Sequence, residues 1–136
     1  MNPKYMLDTN ICIYLMKHQP PMVRERFSKC FIGDVVISAI TQAELQFGVE
    51  CSNENRTQNQ AVLCRFLEEI LVVPFDSDAA IAYGPIRAVN RERSKGALDR
   101  LIASHAIALG VTLVTNNEAD FVGYPGISIE NWIQNH

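Results

Sequence analysis

Short apolar segments that end in polar residues constrain the fold of this chain more than any other feature. Residues 4–8, 34–38, 71–73 and 111–114 are segments of this kind, and residues 127–129 form a weaker fifth. Their length is typical of buried strands, and the stretches between them carry apolar residues at helical spacing. Strands that alternate with helices predict a parallel sheet covered on both faces, which is a three-layer α/β/α sandwich.

The helical pattern is interrupted at defined points. Pro20 and Pro21 break the chain after the first helix, Gly96 precedes a late helix, and Gly110 closes that helix. Together the pattern and its breaks predict helices over residues 10–18, 22–31 and 40–51, over a segment ending near residue 70, and over residues 77–92 and 97–109.

The composition is that of an ordinary globular protein. The chain has 136 residues, of which 48% are hydrophobic and 20% charged, and we expect one domain over residues 1–136. No apolar stretch approaches the roughly 18 residues of a membrane span and no signal-like segment is present, so we expect a cytoplasmic protein without membrane contact. The four cysteines lack zinc or disulfide spacing and are expected to be buried, reduced thiols.

Acidic residues stand where apolar residues would be expected. Asp8 ends the first predicted strand, whereas Glu44 and Asp99 lie beside the apolar stripes of two predicted helices. Each has a local explanation, because Asp8 fits a helix cap, Glu44 fits a capping box that starts at Thr41, and an acid in a first helical turn suits the helix dipole. At the end of the fourth strand a further polar cluster begins at Asn116.

The positions of these acids favour convergence at one edge of the sheet, because the carboxyl ends of parallel strands meet there. Two carboxylates about 4 Å apart repel each other by roughly 4 kcal/mol at an effective dielectric constant of about 20, so a cluster needs a cation or shifted pKa values. No Cys or His accompanies the acids at ligand spacing. A set of oxygen ligands favours Mg²⁺, with Mn²⁺ as the alternative.

Five motifs in this order resemble one known family. They are Met6-Leu7-Asp8-Thr9-Asn10, the segment 41–48 around Glu44, the segment 96–106 around Asp99, Leu113-Val114-Thr115-Asn116-Asn117, and the segment 125–132. Their order and spacing resemble the VapC toxins, which are PIN-domain ribonucleases of bacterial toxin–antitoxin modules. The resemblance extends over almost the whole chain.

The resemblance implies a metal-dependent endoribonuclease with a PIN fold, whose target in similar toxins is a tRNA, typically the anticodon loop of initiator tRNA. It implies that Asp8, Glu44 and Asp99 hold the metal. The fourth position is Asp120 in our interpretation, with Asn117 as the alternative. Residues expected to orient these ligands are Thr9, Asn10, Thr115, Asn116 and Asn117. The same fold without catalysis, as a module that binds RNA or an antitoxin, is the competing interpretation.

The partners of such toxins are RNA, a VapB-type antitoxin and a second toxin copy, so a homodimer and a larger toxin–antitoxin complex are expected. The net charge of −3 does not by itself indicate nucleic-acid binding. A local cluster of cations is instead the candidate RNA surface, formed by Arg87, Arg91, Arg93, Lys95 and Arg100. Candidates for an antitoxin groove, or else for simple core packing, are Ile11, Tyr14, Leu15 and Phe27.

Two further features are noted. The segment 91–96 is shorter than the loop at this place in similar toxins, which puts the fit of substrate at that rim in question. His105 lies on an apolar helix face and is expected to pack in the core rather than to act as a base.

Overall fold

A computed structural model describes residues 2–133 of the chain. The strands are β1 (Tyr5–Leu7), β2 (Val35–Ser38), β3 (Leu71–Val73), β4 (Thr112–Val114) and β5 (Ile129–Glu130). The helices are α1 (Thr9–Lys17), α2 (Pro21–Ser28), α3 (Ala39–Glu50), α4 (Arg56–Glu69), α5 (Ser77–Ala88), α6 (Ala97–Leu109) and α7 (Glu118–Phe121), with a 3-10 helix at Asn53–Asn55. Elements therefore alternate as the sequence predicts.

The five strands form one parallel sheet in the order β3-β2-β1-β4-β5. The central strand β1 pairs with β2 on one side, where Tyr5 is opposite Val35, and with β4 on the other, where Leu7 is opposite Val114. The chain thus builds the sheet outward from β1 in one direction and then in the other. This reversal leaves a crevice at the carboxyl ends of β1 and β4, the usual ligand position in such sheets.

Successive residues of the central strands point to opposite faces of the sheet and enter two separate cores. Leu7 and Val114 belong to the core shared with α1, α3 and α4. Met6 and Leu113 belong to the core shared with α5 and α6. Because both faces are covered, the central strands β1, β2 and β4 are mostly apolar, and the predicted three-layer α/β/α sandwich is confirmed.

Several predicted boundaries differ from the structure. The helix predicted over residues 77–92 ends at Ala88, because Asn90 turns back and its side-chain amide donates to the carbonyl of Ile86 at 3.0 Å. The helix predicted over residues 22–31 ends at Ser28, and the fifth strand is Ile129–Glu130. Helix α7, which follows β4, was not predicted, because a segment of four residues carries too little periodicity.

Burial settles two of the open interpretations. Ile11 and Leu15 are fully buried and serve the core rather than a groove, whereas Tyr14 and Phe27 are half-buried and pack against the same cluster. The prediction of buried cysteines holds for Cys12, whereas Cys30 is half-buried. It is wrong for Cys51 and Cys64, which are both exposed. Cys51 directly follows the end of α3, and Cys64 faces outward on α4.

Among residues 2–133, none of the helices has the length and apolar character required to cross a membrane.

Candidate active site

Asp8 occupies the carboxyl end of the central strand. It is the residue before α1, and its Oδ1 accepts a hydrogen bond from the backbone N–H of Ile11 at 3.0 Å, so it does cap the helix. Only 6% of its surface is exposed. Burial raises its pKa to about 6, and the charges of Asp99 and Glu44 act in the same direction, whereas hydrogen bonds from Thr115 and Ile11 act against it. Cap and site are therefore compatible roles.

Glu44 approaches the same region from α3 and is half-buried. Its Oε1 accepts a hydrogen bond of 2.5 Å from the hydroxyl of Thr9, the first residue of α1. This contact ties the carboxylate to the residue next to Asp8. The hydroxyl of Thr9, a residue expected to orient the ligands, is therefore in contact with one of the predicted carboxylates.

Asp99 lies in the first turn of α6 and is half-buried. Burial raises its pKa, and the neighbouring charges of Asp120 and Glu44 raise it further, while Arg93 and Arg100 lower it. Asp120, on α7, lies 3.8 Å from the guanidinium of Arg93, Oδ1 to Nη2. Because the charge of Asp120 raises the pKa of Asp99, the two carboxylates lie near each other. Asp120 is the acid that we predicted for the fourth position.

The residues expected to orient the ligands divide into two groups. Thr115 is fully buried at the end of β4, and its Oγ1 accepts a hydrogen bond of 3.0 Å from the backbone N–H of Asn117. By contrast, Asn10, Asn116 and Asn117 are exposed. The amide of Asn116 is directed to Asn131, with Nδ2 of Asn131 3.5 Å from its Oδ1. No side-chain hydrogen bond of Asn10 or Asn117 occurs within residues 2–133.

The charges of Asp99 and Glu44 act on Asp8, and the charges of Glu44 and Asp120 act on Asp99. As the described side chains stand, no group of three His, Cys, Asp or Glu residues among them forms a ready ligand set for a metal ion. Thr9 and Arg93 engage two of the carboxylates instead. The chemistry of the cluster nevertheless suits a hard divalent cation, because the donors are carboxylate oxygens and two of them bind protons more readily than isolated acids.

The basic residues predicted to hold RNA do not share one environment. Arg91, Arg93 and Lys95 are exposed on the segment between α5 and α6. Arg100 is only 2% exposed, and its Nη1 donates to the carbonyl of Lys95 at 2.6 Å, so its inclusion in a surface for RNA is wrong. Arg87 likewise donates to the carbonyls of Asn90 and Arg93, at 3.0 and 2.9 Å. Both arginines brace the loop that carries the exposed cations.

Sequence reasoning missed one residue near the site. Ser38 ends β2, is fully buried, and accepts a hydrogen bond of 3.0 Å from the backbone N–H of Ile40 as the cap of α3. The available signal was the same as for Asp8, namely a polar residue that ends an apolar strand. His105 packs in the core as predicted, and its Nδ1 lies 2.8 Å from Ser38 Oγ.

Comparison with known proteins gives a consistent result. Residues 5–125 match the PIN domain family. The chain is 41% identical to the tRNA(fMet)-specific endonuclease VapC of Shigella flexneri over 131 residues, which cover 95% of this chain and 98% of that protein. It is 39% identical to Ribonuclease VapC2 of Rickettsia felis over 131 residues, covering 94% of this chain and 97% of that protein.

Solved structures lead to the same group. The DNA-bound VapBC of Salmonella typhimurium superposes with a TM-score of 0.87 at 40% identity, covering 96% of this chain and 99% of that chain. VapBC2 of Rickettsia felis, bound to a DNA fragment from its promoter, superposes with a TM-score of 0.84 at 37% identity and covers 95% of this chain and 98% of that chain. The chain therefore belongs to the PIN-domain family and, within it, to the VapC ribonucleases.

Proposed function

We propose that this protein is the toxin of a VapBC module, a metal-dependent endoribonuclease that acts in the cytoplasm on a tRNA, with the anticodon loop of initiator tRNA as the favoured target. The carboxylate cluster at the crevice between β1 and β4 carries the proposal. The tRNA assignment is supported by the similarity to the Shigella flexneri VapC, which is a tRNA(fMet)-specific endonuclease. Toxicity would follow from lost initiation of translation.

The metal would be held by Asp8, Glu44, Asp99 and Asp120, with Mg²⁺ favoured and Mn²⁺ as the alternative. Burial is the first cause of the raised pKa values of Asp8 and Asp99, and the charges of neighbouring acids add to it. This assignment is supported because a divalent cation would offset those neighbouring charges. Such a cation, when bound, polarises the scissile phosphate and makes water a stronger nucleophile.

The protein's own groups would keep the acids in position. The N–H of Ile11 holds Oδ1 of Asp8, and the hydroxyl of Thr9 holds Oε1 of Glu44. The buried Thr115 limits the movement of Asp8 from the side of β4. No serine, cysteine or histidine is needed as a nucleophile in this scheme, since water attacks the phosphate.

The RNA backbone would lie along the exposed cations Arg91, Arg93 and Lys95. They stand on the loop directly before α6, and Arg93 reaches Asp120 at the edge of the acidic cluster. A phosphate bound there would be adjacent to the acids. Arg87 and Arg100 would contribute indirectly by holding the carbonyls of this loop.

The experiment that tests the nuclease is cleavage of end-labelled total tRNA by the purified protein with Mg²⁺, with Mn²⁺ and with EDTA. Discrete cleavage that needs the ion and is lost in Asp8→Ala and Asp99→Ala is expected. Asp76→Ala is the matched control, because Asp76 also follows a strand and caps a helix but is exposed. RNA binding without cleavage under all these conditions would favour the non-catalytic module.

The RNA surface has its own test. The double variant Arg91→Glu/Arg93→Glu should weaken binding of uncleaved tRNA, and the slope of log affinity against log salt concentration should fall, by about 1 for each lost phosphate contact. Arg65→Glu, which changes an exposed arginine on α4, serves as the control for net charge. An unchanged slope in the double variant would remove these residues from the surface.

An antitoxin segment would occupy the apolar groove between α1, α3 and α4. This groove has a volume of about 370 Å³, is lined by residues such as Ile13, Met16 and Val62, and has Glu44 at its margin. An apolar peptide that ends in a basic side chain fits these properties, since the cation would meet the acidic cluster. Gly48→Trp should fill the groove and reduce the affinity for the antitoxin.

The expected homodimer is a separate proposal. Light scattering of the toxin alone would test it.

A further inference from the structure

The hydrogen bond between His105 and Ser38 joins two elements that carry acids of the site. His105 Nδ1 lies 2.8 Å from Ser38 Oγ, and both residues are buried, with His105 only 1% exposed. Ser38 Oγ already accepts a hydrogen bond from the N–H of Ile40. We assign its hydroxyl hydrogen to Nδ1, with the imidazole in the tautomer that carries its proton on Nε2.

The Ser38–His105 contact lies at the same sequence separation from Glu44 on one helix as from Asp99 on the other. Glu44 follows Ser38 by six residues on α3, and Asp99 precedes His105 by six residues on α6. At a rise of about 1.5 Å per residue, each acid lies roughly 9 Å along its helix from the contact. The charge of Glu44 contributes to the raised pKa of Asp99, so these two acids lie near each other. The two helices therefore bring them to the same side of the contact between Ser38 and His105.

We propose that His105 is a positioning residue of the acidic site: its buried hydrogen bond to Ser38 sets the placement of α6 against α3 and thereby the separation of Asp99 and Glu44. This inference rests on the proposed nuclease function. A rotation of about 10° at this contact would move a carboxylate about 9 Å away by roughly 1.5 Å, and misplacement of about 1 Å can cost a hundredfold in rate.

A role in simple core packing does not account for the residue type. Within residues 2–133, Nε2 of His105 is buried without a hydrogen-bond partner, and the imidazole ring stands edge-on to Phe75 at 5.4 Å between centroids. An apolar side chain of similar size would fill the space without that unsatisfied N–H. A directional bond, unlike apolar contact, fixes one relative position of two helices, which is the property a site built from both helices requires.

The test compares His105→Ala with two amide variants of the same protein. Asn at this position places an acceptor where Nδ1 stands and can keep the bond to Ser38, whereas Gln reaches toward Nε2. We expect His105→Ala and His105→Gln to lower kcat for tRNA about 10-fold to 100-fold and to weaken Mn²⁺ binding, measured by calorimetry, about 10-fold, with KM nearly unchanged. His105→Asn should restore most of both losses.

Ser38→Ala should reproduce the loss of kcat and, because it also removes the side-chain cap of α3, should lower the stability of the protein. The kcat of the double variant Ser38→Ala/His105→Ala should be no lower than that of Ser38→Ala, because the contact between the two residues is already absent there. Ser104→Ala is the matched control. Ser104 is also a fully buried serine of α6, but its hydroxyl donates to the carbonyl of Arg100 in its own helix, at 2.6 Å. Its kcat and Mn²⁺ affinity are expected to stay at the wild-type level while its melting temperature falls.

The proposal is overturned if folded His105→Ala keeps kcat and Mn²⁺ affinity within about twofold of wild type, or if His105→Asn is no better than His105→Gln. Should His105→Ala fail to fold, the comparison of the Asn and Gln variants decides. If the wild-type protein neither binds Mn²⁺ nor cleaves tRNA, the proposed function has failed. Crystal structures of wild type and His105→Gln then decide the positioning role, since unmoved Asp99 and Glu44 would refute it.

Discussion

Replacement of Asp8 by Asn should stabilise this protein at neutral pH while it abolishes nuclease activity. The pKa of Asp8 is raised from its usual 3.8 to about 6, first by burial and further by Asp99 and Glu44. Folding therefore disfavours the charged form of this side chain. Asn carries no charge, and it caps helices about as well as Asp, so the hydrogen bond from Ile11 can be kept.

The sign follows from proton binding. Between pH 3.8 and about 6 the folded protein holds a proton on Asp8 that the unfolded chain has lost, so the free energy of unfolding falls as the pH rises. At about 1.4 kcal/mol for each pH unit, the interval amounts to about 3 kcal/mol. Above pH 6 this full amount is lost in wild type and retained in Asp8→Asn, which corresponds to roughly 10 °C in melting temperature.

The assay is urea denaturation of both proteins from pH 4 to pH 8 in the presence of EDTA, because a bound cation would stabilise wild type alone. Asp8→Asn should match wild type near pH 4 and exceed it by about 3 kcal/mol at pH 8. Asp76→Asn is the control, since Asp76 caps α5 through the N–H of Ala79 but is exposed. Equal stability of Asp8→Asn and wild type at pH 8, or a gain independent of pH, would refute the reasoning.

Two further predictions concern the sheet and the loop before α6. Leu113→Ala, at a fully buried position of β4, should cost about 2–5 kcal/mol of unfolding free energy in urea. Leu71→Ala on β3 should cost much less, because Leu71 is 53% exposed. Gly96→Ala should lower the free energy of unfolding by about 1–2 kcal/mol, because Gly96 has a φ of 82°. Gly48→Ala inside α3 should be neutral or stabilising, because a Cβ there meets nothing within 4 Å. Equal costs within either pair would contradict these assignments.

Much of the fold could be predicted from local patterns. Four of the strands were located to within a residue or two, because each is a short, mostly apolar run bounded by polar or turn residues. Asp8 and the polar cluster that begins at Asn116 could be assigned to the crevice because each lies at the carboxyl end of such a strand. The boundaries at Ala88 and Ser28 could not, since helix ends depend on capping contacts such as that of Asn90 with Ile86.

The basic residues show where local reasoning stops. Arg91 and Arg100 look alike in the sequence, yet one is exposed and the other is buried against the carbonyl of Lys95. An arginine has enough donors to serve a phosphate or a backbone carbonyl equally well, and only the path of the loop decides between them. The exposed Cys51 and Cys64 were mispredicted because burial of a small side chain depends on which way its helix faces.

The sequence by itself determined the types of element, their order and the acids that end or flank them, because hydrophobic burial imposes periods of two or 3.6 residues that can be detected locally. Only the tertiary structure decided which of these residues meet. The sheet order places β1 beside β4, so Asp8 and Thr115 become neighbours, and helix packing joins Ser38 to His105 across 67 residues. Such contacts depend on the direction in which each element leaves the sheet, which no local period encodes.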